Sequence, residues 1–325
     1  MTRIQSALRF TSALFFAASL SATAQTPFPA KPVTLVIGFP AGGPLDLHAR
    51  LLQERLQAAL GQQLIIDYKS GAGGTVGAQF VAKAPADGYT ILLANTGTMV
   101  INPALYPKLA YDMQKDFVAV ARTAQQPLAM IVHPSVPANS MQEFIAYAKA
   151  RPGQLNYGSA GNGGISHLVP EMFKRATGLF MVHIPYRGSA PAFTDLMSGQ
   201  VQFMAESIPQ AAQYAKQGRV RALAVTSRAR NPALPEVPTL IEVGLKDFEV
   251  VGFYGILAPA GTPKDIVAKL SNAFKSALES PDVRGKMISQ GADPAFLDAD
   301  GFARFLDAEM PKWAKAVKDS GAKVD

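Results

Sequence analysis

Two glycine-rich segments carry the groups best placed for chemistry. The first is Gly38-Phe39-Pro40-Ala41-Gly42-Gly43-Pro44-Leu45-Asp46, which joins an apolar run to an amphipathic one. Glycines at 42 and 43 let the backbone turn sharply and leave its N–H groups uncovered. A helix starting at Pro44 has a partial positive charge and unpaired donors at that end, which attract a carboxylate or a phosphate. Asp46 falls in the first turn, spaced for an i,i+4 pair with Arg50. That position suits either support of the helix or a hold on ligand or water. The second segment is Asn156-Tyr157-Gly158-Ser159-Ala160-Gly161-Asn162-Gly163-Gly164-Ile165-Ser166-His167. It too precedes a helical pattern, and Ser159, Asn162 and Ser166 add hydroxyl and amide groups to a backbone nest suited to anions. Two such loops, one per lobe, would grip a carboxylate from both sides. Hydrogen bonds to a charged group contribute about 1.5–3 kcal/mol each, and a few would supply much of the ~8 kcal/mol behind micromolar binding.

Other reactive patterns are missing. Gly71-Ala72-Gly73-Gly74-Thr75-Val76-Gly77 has its last glycine one residue too late for a dinucleotide fingerprint, and it follows the second strand rather than the first. It reads as a structural or cleft-lining loop. No phosphate-loop motif and no G-x-S-x-G elbow occurs. His48, His133, His167 and His183 lack metal spacing and read as packing or hydrogen-bonding residues. With no cysteine, thiolate catalysis, cysteine metal sites and disulfides are excluded. The expectation is a binding protein with no catalytic residue, no metal and no cofactor, not an enzyme.

The elements that position these loops alternate in type. Val33–Ile37 is a continuous apolar run, as in a strand buried on both faces. Leu45, Ala49, Leu52, Leu56 and Leu60 then share one helical face, and Gly61 supplies the stop. Strands at 64–66 and 89–94 with a helix at 78–84 complete a β-α-β-α-β block, which implies a parallel sheet. The pattern restarts with a strand at 128–132, helices at 140–150 and 167–177, a strand at 180–184, a helix at 190–198, a strand at 201–204, a helix at 209–217 and a strand at 220–226. Residues 227–249 read as irregular, 250–257 as a strand, and the rest as mostly helical, over 264–279, 282–290 and 299–318. The fold class is therefore α/β in two lobes, each a mainly parallel sheet flanked by helices, with the ligand cleft between them. Lobe 1 takes residues 25–125 and 250–325, and lobe 2 takes 126–249. The chain leaves lobe 1 near Ala124 and returns near Val250, so two crossings form a hinge.

Residues 1–24 read as a secretory leader: Arg3 and Arg9, an apolar run from Ala13 to Leu20, then Ala22-Thr23-Ala24 with cleavage near Ala24. The run is shorter than the ~20 residues that span a bilayer. A cleavage-site cysteine would be needed for a lipid anchor, so the mature chain should diffuse freely in the periplasm. Net charge is +7, of which Arg3 and Arg9 account for two. The remaining excess suits a small anion. Lys and Arg form no run, which argues against nucleic acid.

The sequence resembles the substrate-binding proteins of tripartite tricarboxylate transporters, the Bug family. The resemblance rests on GFPAGGPLDLHAR (38–50), GAGGTVGA (71–78), ADGYTILLANTGT (86–98), LNYGSAGNGGISHLVPEMFK (155–174), HIPYRGSAPAFTDLMSGQVQFM (183–204), GRVRALAVTS (218–227), LPEVPTLIEVG (234–244) and APAGTP (258–263). It implies a type II periplasmic-binding-protein fold and a ligand that is a di- or tricarboxylate, an acidic amino acid or an aromatic acid. It also implies membrane transporter subunits as partners, with the receptor itself a monomer. Carried over residue by residue, it places Ala41, Gly42, Gly43 and Asp46 on one side of the ligand. Ser159, Ala160, Gly161, Asn162 and His167 take the other. Thr96 of the Asn95–Thr98 loop and Arg187, Gly188 and Ser189 face the cleft. Phe39, Glu206 and Phe253 complete the expected set. Asp67-Tyr68-Lys69-Ser70, Phe253 and Met204-Ala205-Glu206-Ser207 depart from the family pattern and border the pocket, so ligand identity stays open. Phe39, Phe253 and Tyr254 suit either stacking on an aromatic acid or core packing. Two alternatives are an exported enzyme on the same scaffold and a ligand-dependent partner of a membrane sensor kinase.

Overall fold

The apolar run Val33–Ile37 becomes the middle strand of a parallel trio. The computed structural model describes residues 27–323, so the leader and its cleavage point lie outside the described residues. Strand β1 (Val33–Ile37) leads through helix α1 (Pro44–Leu60) to β2 (Leu64–Tyr68), and through α2 (Thr75–Ala82) to β3 (Thr90–Asn95). β1 lies between β2 and β3 and is parallel to both, which is why its side chains are apolar on both faces. Pro44 opens α1, and Gly61 closes it in the left-handed conformation at φ 67°. The expected stripe from Leu45 to Leu60 is buried.

A short α3 (Asn102–Leu105) precedes the long strand β4 (Phe117–Val132). The second lobe follows: α4 (Met141–Lys149), β5 (Asn156–Ser159), α5 (Ile165–Thr177), β6 (Val182–Pro185), α6 (Ser189–Met197), β7 (Phe203–Ser207), α7 (Ile208–Lys216) and β8 (Arg221–Val225). Turns occupy 227–249. The chain then returns through β9 (Val251–Pro259), α8 (Lys264–Glu279), α9 (Pro281–Gln290), β10 (Asp293–Leu297) and α10 (Ala299–Ser320). The strand order is β2-β1-β3-β9-β4-β7-β5-β6, with β8 and β10 also on β4.

Parallel pairing is confined to one trio in each lobe, β2-β1-β3 and β7-β5-β6. β9 is antiparallel to both β3 and β4, and β4 is antiparallel to β7 and β8. β4 pairs with β9 and β10 up to Pro127, then with β7 and β8 from Leu128 onward. β4 thus changes partners at Pro127-Leu128, and β9 brings the chain back between β3 and β4.

Three features differ from the sequence expectation. β4 starts eleven residues before Leu128, because bulges against β9 break the period-two pattern. β10 is a strand in the gap left unassigned between the expected helices at 282–290 and 299–318; it carries Pro294 and pairs through its backbone with Arg122, Ala124 and Gln125. β5 lies inside the second glycine-rich segment, where Gly158 hides a strand signal. The lobe 2 core groups Phe144, Phe173 and Phe203 in a triangle of near-parallel rings, with centres 5.0, 5.9 and 6.5 Å apart. In lobe 1, Leu52 and Leu56 of α1 share a core with Leu270 and Phe274 of α8.

Gly255 of β9 shows how tightly α10 sits on this sheet. A Cβ there would fall 2.1 Å from the ring of the fully buried Phe302. Gly255→Ala should therefore destabilise by about 1–3 kcal/mol through overpacking. Urea denaturation should give a lower midpoint with an unchanged slope.

Candidate functional site

Four helices begin at one place. A cavity of about 50 Å3 between the lobes is lined by Gly43, Pro44 and Leu45 at the start of α1, and by Gly164, Ile165 and Ser166 at the start of α5. Ser189 opens α6 onto it and Ser207 precedes α7 there. None of these four helices has a side-chain cap on its first turn. Their first N–H groups have no intrahelical partner, and each helix adds a partial positive charge at this end. Among the described residues, no lysine or arginine lines the cavity. Its positive field comes from backbone. Phe39, Leu128, Phe253 and Tyr254 give it apolar walls.

The two glycine-rich loops do meet here, but many of their side chains face inward to the loop. Asp46 is buried, and its carboxylate accepts from the Gly42 N–H at 2.8 Å, Arg50 Nε at 2.8 Å and the Tyr68 hydroxyl at 2.6 Å. In the second loop, Ser166 Oγ accepts from the Ala160 N–H at 3.0 Å and Ser159 Oγ from the Gly161 N–H at 3.2 Å. His167 Nδ1 accepts from the Gly163 N–H at 3.3 Å. These groups fix the shape of each loop, which leaves the helix first turns as the donors that face the cavity.

Of the residues expected at the ligand, Phe39, Gly43, Thr96, Ala160, Ser189, Glu206 and Phe253 line the cavity. Ala41 and Gly42 are exposed, as is Arg187. Asp46, Ser159, Gly161, Asn162, His167 and Gly188 stand behind the lining. Sequence reasoning missed Gln126 and Leu128, where β4 changes partners, and Gly252 at the start of β9. A strand continuous between lobes was the missing signal. Thr96 Oγ1 accepts from the Phe253 N–H at 2.6 Å, so the β3 end holds β9 at the cavity.

The histidines take packing and hydrogen-bonding roles. His183 stacks on His167 with ring centres 4.1 Å apart, and its Nε2 is 2.6 Å from Ser159 Oγ. Burial, with His167 and Lys174 nearby, pushes His183 down to about 3. Burial pushes His48 down to about 4, and its Nε2 is 2.9 Å from Thr123 Oγ1. Both rings are neutral at physiological pH. Glu206 moves the other way. Burial lifts it to about 7, against the opposing pull of the Ser189 hydroxyl and the Ser207 N–H.

The lobes touch through glycines. A Cβ on Gly73 would fall 2.3 Å from the Asn162 carbonyl oxygen, and one on Gly188 would fall 2.7 Å from Pro40. Gln210 Nε2 donates across the cleft to the Gly42 carbonyl at 2.9 Å, and the Tyr106 hydroxyl to the Asn162 carbonyl at 3.2 Å.

Two lobes joined by crossing strands, with helix N-termini aimed into the cleft, define a periplasmic-binding-protein fold. The chain belongs to the tripartite tricarboxylate transporter family receptors, whose family model matches residues 48–322. This family is one of solute-binding proteins rather than enzymes. BugT of Bordetella pertussis is 35% identical over 298 residues, covering 91% of each chain. The solved structure of Rpa4515 of R. palustris with adipate is 36% identical, with TM-score 0.89, over 91% of this chain and all of the other. That of MatC from Rhodopseudomonas palustris with bound malate is 35% identical, with TM-score 0.84, over 89% of this chain and all of the other.

Asp46 ties three donors together beneath the first loop. Asp46→Ala should cost about 1–3 kcal/mol, since it removes charge-assisted hydrogen bonds from the Gly42 N–H, Arg50 and the Tyr68 hydroxyl. Chemical denaturation of the mature chain checks this.

Proposed function

We propose that the chain is an exported receptor that closes on a small carboxylate and delivers it to the membrane subunits of a tripartite tricarboxylate-type transporter. The observation that carries this reading is the meeting of four uncapped helix N-termini at one inter-lobe cavity. Such a place favours an anion, and a carboxylate has two oxygens to accept from opposite sides. Relatives solved with adipate and malate support the same class.

Lobe 1 (25–125 and 250–325) and lobe 2 (126–249) move about the crossings in β4 and before β9, and ligand selects the closed arrangement. The leader directs the chain to the periplasm with cleavage near Ala24. The mature receptor works there as a monomer without a lipid anchor, since no cysteine exists to carry one. Phe253 is already engaged edge-on with Phe302 and Phe305, which commits its ring to packing rather than to stacking on an aromatic acid.

A thermal-shift screen of short carboxylic acids tests the reading. A true ligand at a hundred times its Kd should add about 2.7 kcal/mol of stability and raise the melting temperature. If no carboxylate shifts melting, the reading falls. Closure has its own test at Gly163, where φ is +78° and a Cβ would lie 2.1 Å from Asn102 Oδ1 of the other lobe. Gly163→Ala should weaken binding of any acid found in the screen by tenfold or more in calorimetry, because the closed arrangement no longer fits.

A further inference from the structure

A buried carboxylate stands inside a cavity whose backbone field attracts carboxylates. Glu206 is the fourth residue of β7, two before the start of α7, and only 4% exposed. It lines the cavity, and its Oε2 has no hydrogen-bond partner among the described residues. The neighbouring Ser207 hydroxyl is likewise buried, in the cavity wall and without a partner. Several kinds of ligand would satisfy the helix N-termini alone. Only a ligand that brings a donor satisfies Oε2 as well.

We propose that Glu206 sets ligand specificity by accepting a hydrogen bond from an ammonium or hydroxyl group beside the ligand's carboxylate, so that the receptor prefers amino or hydroxy acids to plain aliphatic acids. This rests on the carboxylate reading above and narrows it. The ligand's carboxylate goes to the helix first turns and its donor goes to Oε2. A plain acid leaves the buried Oε2 unpaired, which disfavours it.

The surroundings of Glu206 give the preference a pH signature. The Ser189 hydroxyl from α6 and the Ser207 N–H favour its charged form. Tyr254 of β9 is the titratable group that faces it, held neutral because burial and Glu206 itself raise its hydroxyl well above the usual range. Ala129 is its cross-strand partner on β4 and carries no charge. Among the described residues, no lysine, arginine or histidine contributes to its charge balance. With Glu206 lifted to about 7, the side chain is mostly protonated at pH 6 and mostly ionised at pH 8. An ammonium ligand needs the ionised form, so its affinity rises about tenfold over that interval. If a protonated Glu206 instead donated to a second ligand carboxylate, affinity would fall over the same interval.

Calorimetry on the mature chain with three matched sets decides the matter: propionate, lactate and alanine; succinate, malate and aspartate; glutarate, 2-hydroxyglutarate and glutamate. In any set that binds, the amino or hydroxy member should bind at least tenfold tighter than the plain acid. Where it is the amino member, binding should tighten from pH 6 to pH 8. Glu206→Gln should shrink that preference at least tenfold and flatten the pH dependence. A plain acid binding as tightly as its counterparts, or tightening toward pH 6, overturns the proposal while leaving carboxylate capture intact. No binding in any set sinks both. If Glu206→Gln does not fold, the ranking and pH trend of the unaltered chain still decide.

Discussion

Unpaired first-turn amides are the constraint around which this molecule is organised. Every helix leaves its first N–H groups without an intrahelical acceptor. α1, α5, α6 and α7 have no side-chain cap, and neither do α2, α3, α8 and α9; what sets the first four apart is that they begin at one cavity. A buried donor without a partner costs about 1–3 kcal/mol. Four helices that share this demand at one place are best satisfied by a single acceptor-rich anion set among them. The parallel trios produce the arrangement, because each strand of a β-α-β unit hands the chain to a helix at the same edge of the sheet. Lobe 1 contributes α1 after β1; lobe 2 contributes α5 after β5, α6 after β6 and α7 after β7.

Holding those amides in place is a separate task, and the loop side chains perform it. Asp46 draws Gly42 inward, while Ser166, Ser159 and His167 secure Ala160, Gly161 and Gly163. Preorganisation of this kind strengthens binding by removing the ordering cost from the moment of capture. The lobes meet through small surfaces and neutral hydrogen bonds, such as Gln210 to Gly42 and Tyr106 to Asn162. Neutral bonds contribute about 0.5–1.5 kcal/mol each.

Much of this was legible in the sequence, and the rest was hidden for identifiable reasons. The stripe from Leu45 to Leu60, the buried β1 and the two glycine-rich loops follow from local pattern alone. Fold and family were recoverable because those patterns recur in order along the whole chain. β4 was truncated in the reading because Arg122, Gln125 and Pro127 interrupt its apolar run and bulges shift its phase. β10 was missed because its partner lies far back in the sequence. At the site, residue types pointed to the correct loops but not to the direction of their side chains. Ser and Asp beside a backbone nest serve a ligand or the nest itself with equal chemical ease, and only geometry distinguishes the two.

Selectivity cannot come from the helix ends. Adipate and malate differ in length and in hydroxylation, yet relatives of about the same identity to this chain are solved with one or the other. Backbone amides recognise what such acids share, a carboxylate. Discrimination must fall to side-chain atoms that line the cavity and are not already committed. Asn95 Oδ1 accepts from the Thr98 N–H, Thr96 is bound to the Phe253 backbone, and Ser166 is bound to Ala160. Phe39, Leu45, Leu128, Ile165 and Phe253 supply shape without direction. Among the described residues, the buried side-chain atoms in the lining left without a partner are on Glu206 and Ser207, at the end of β7.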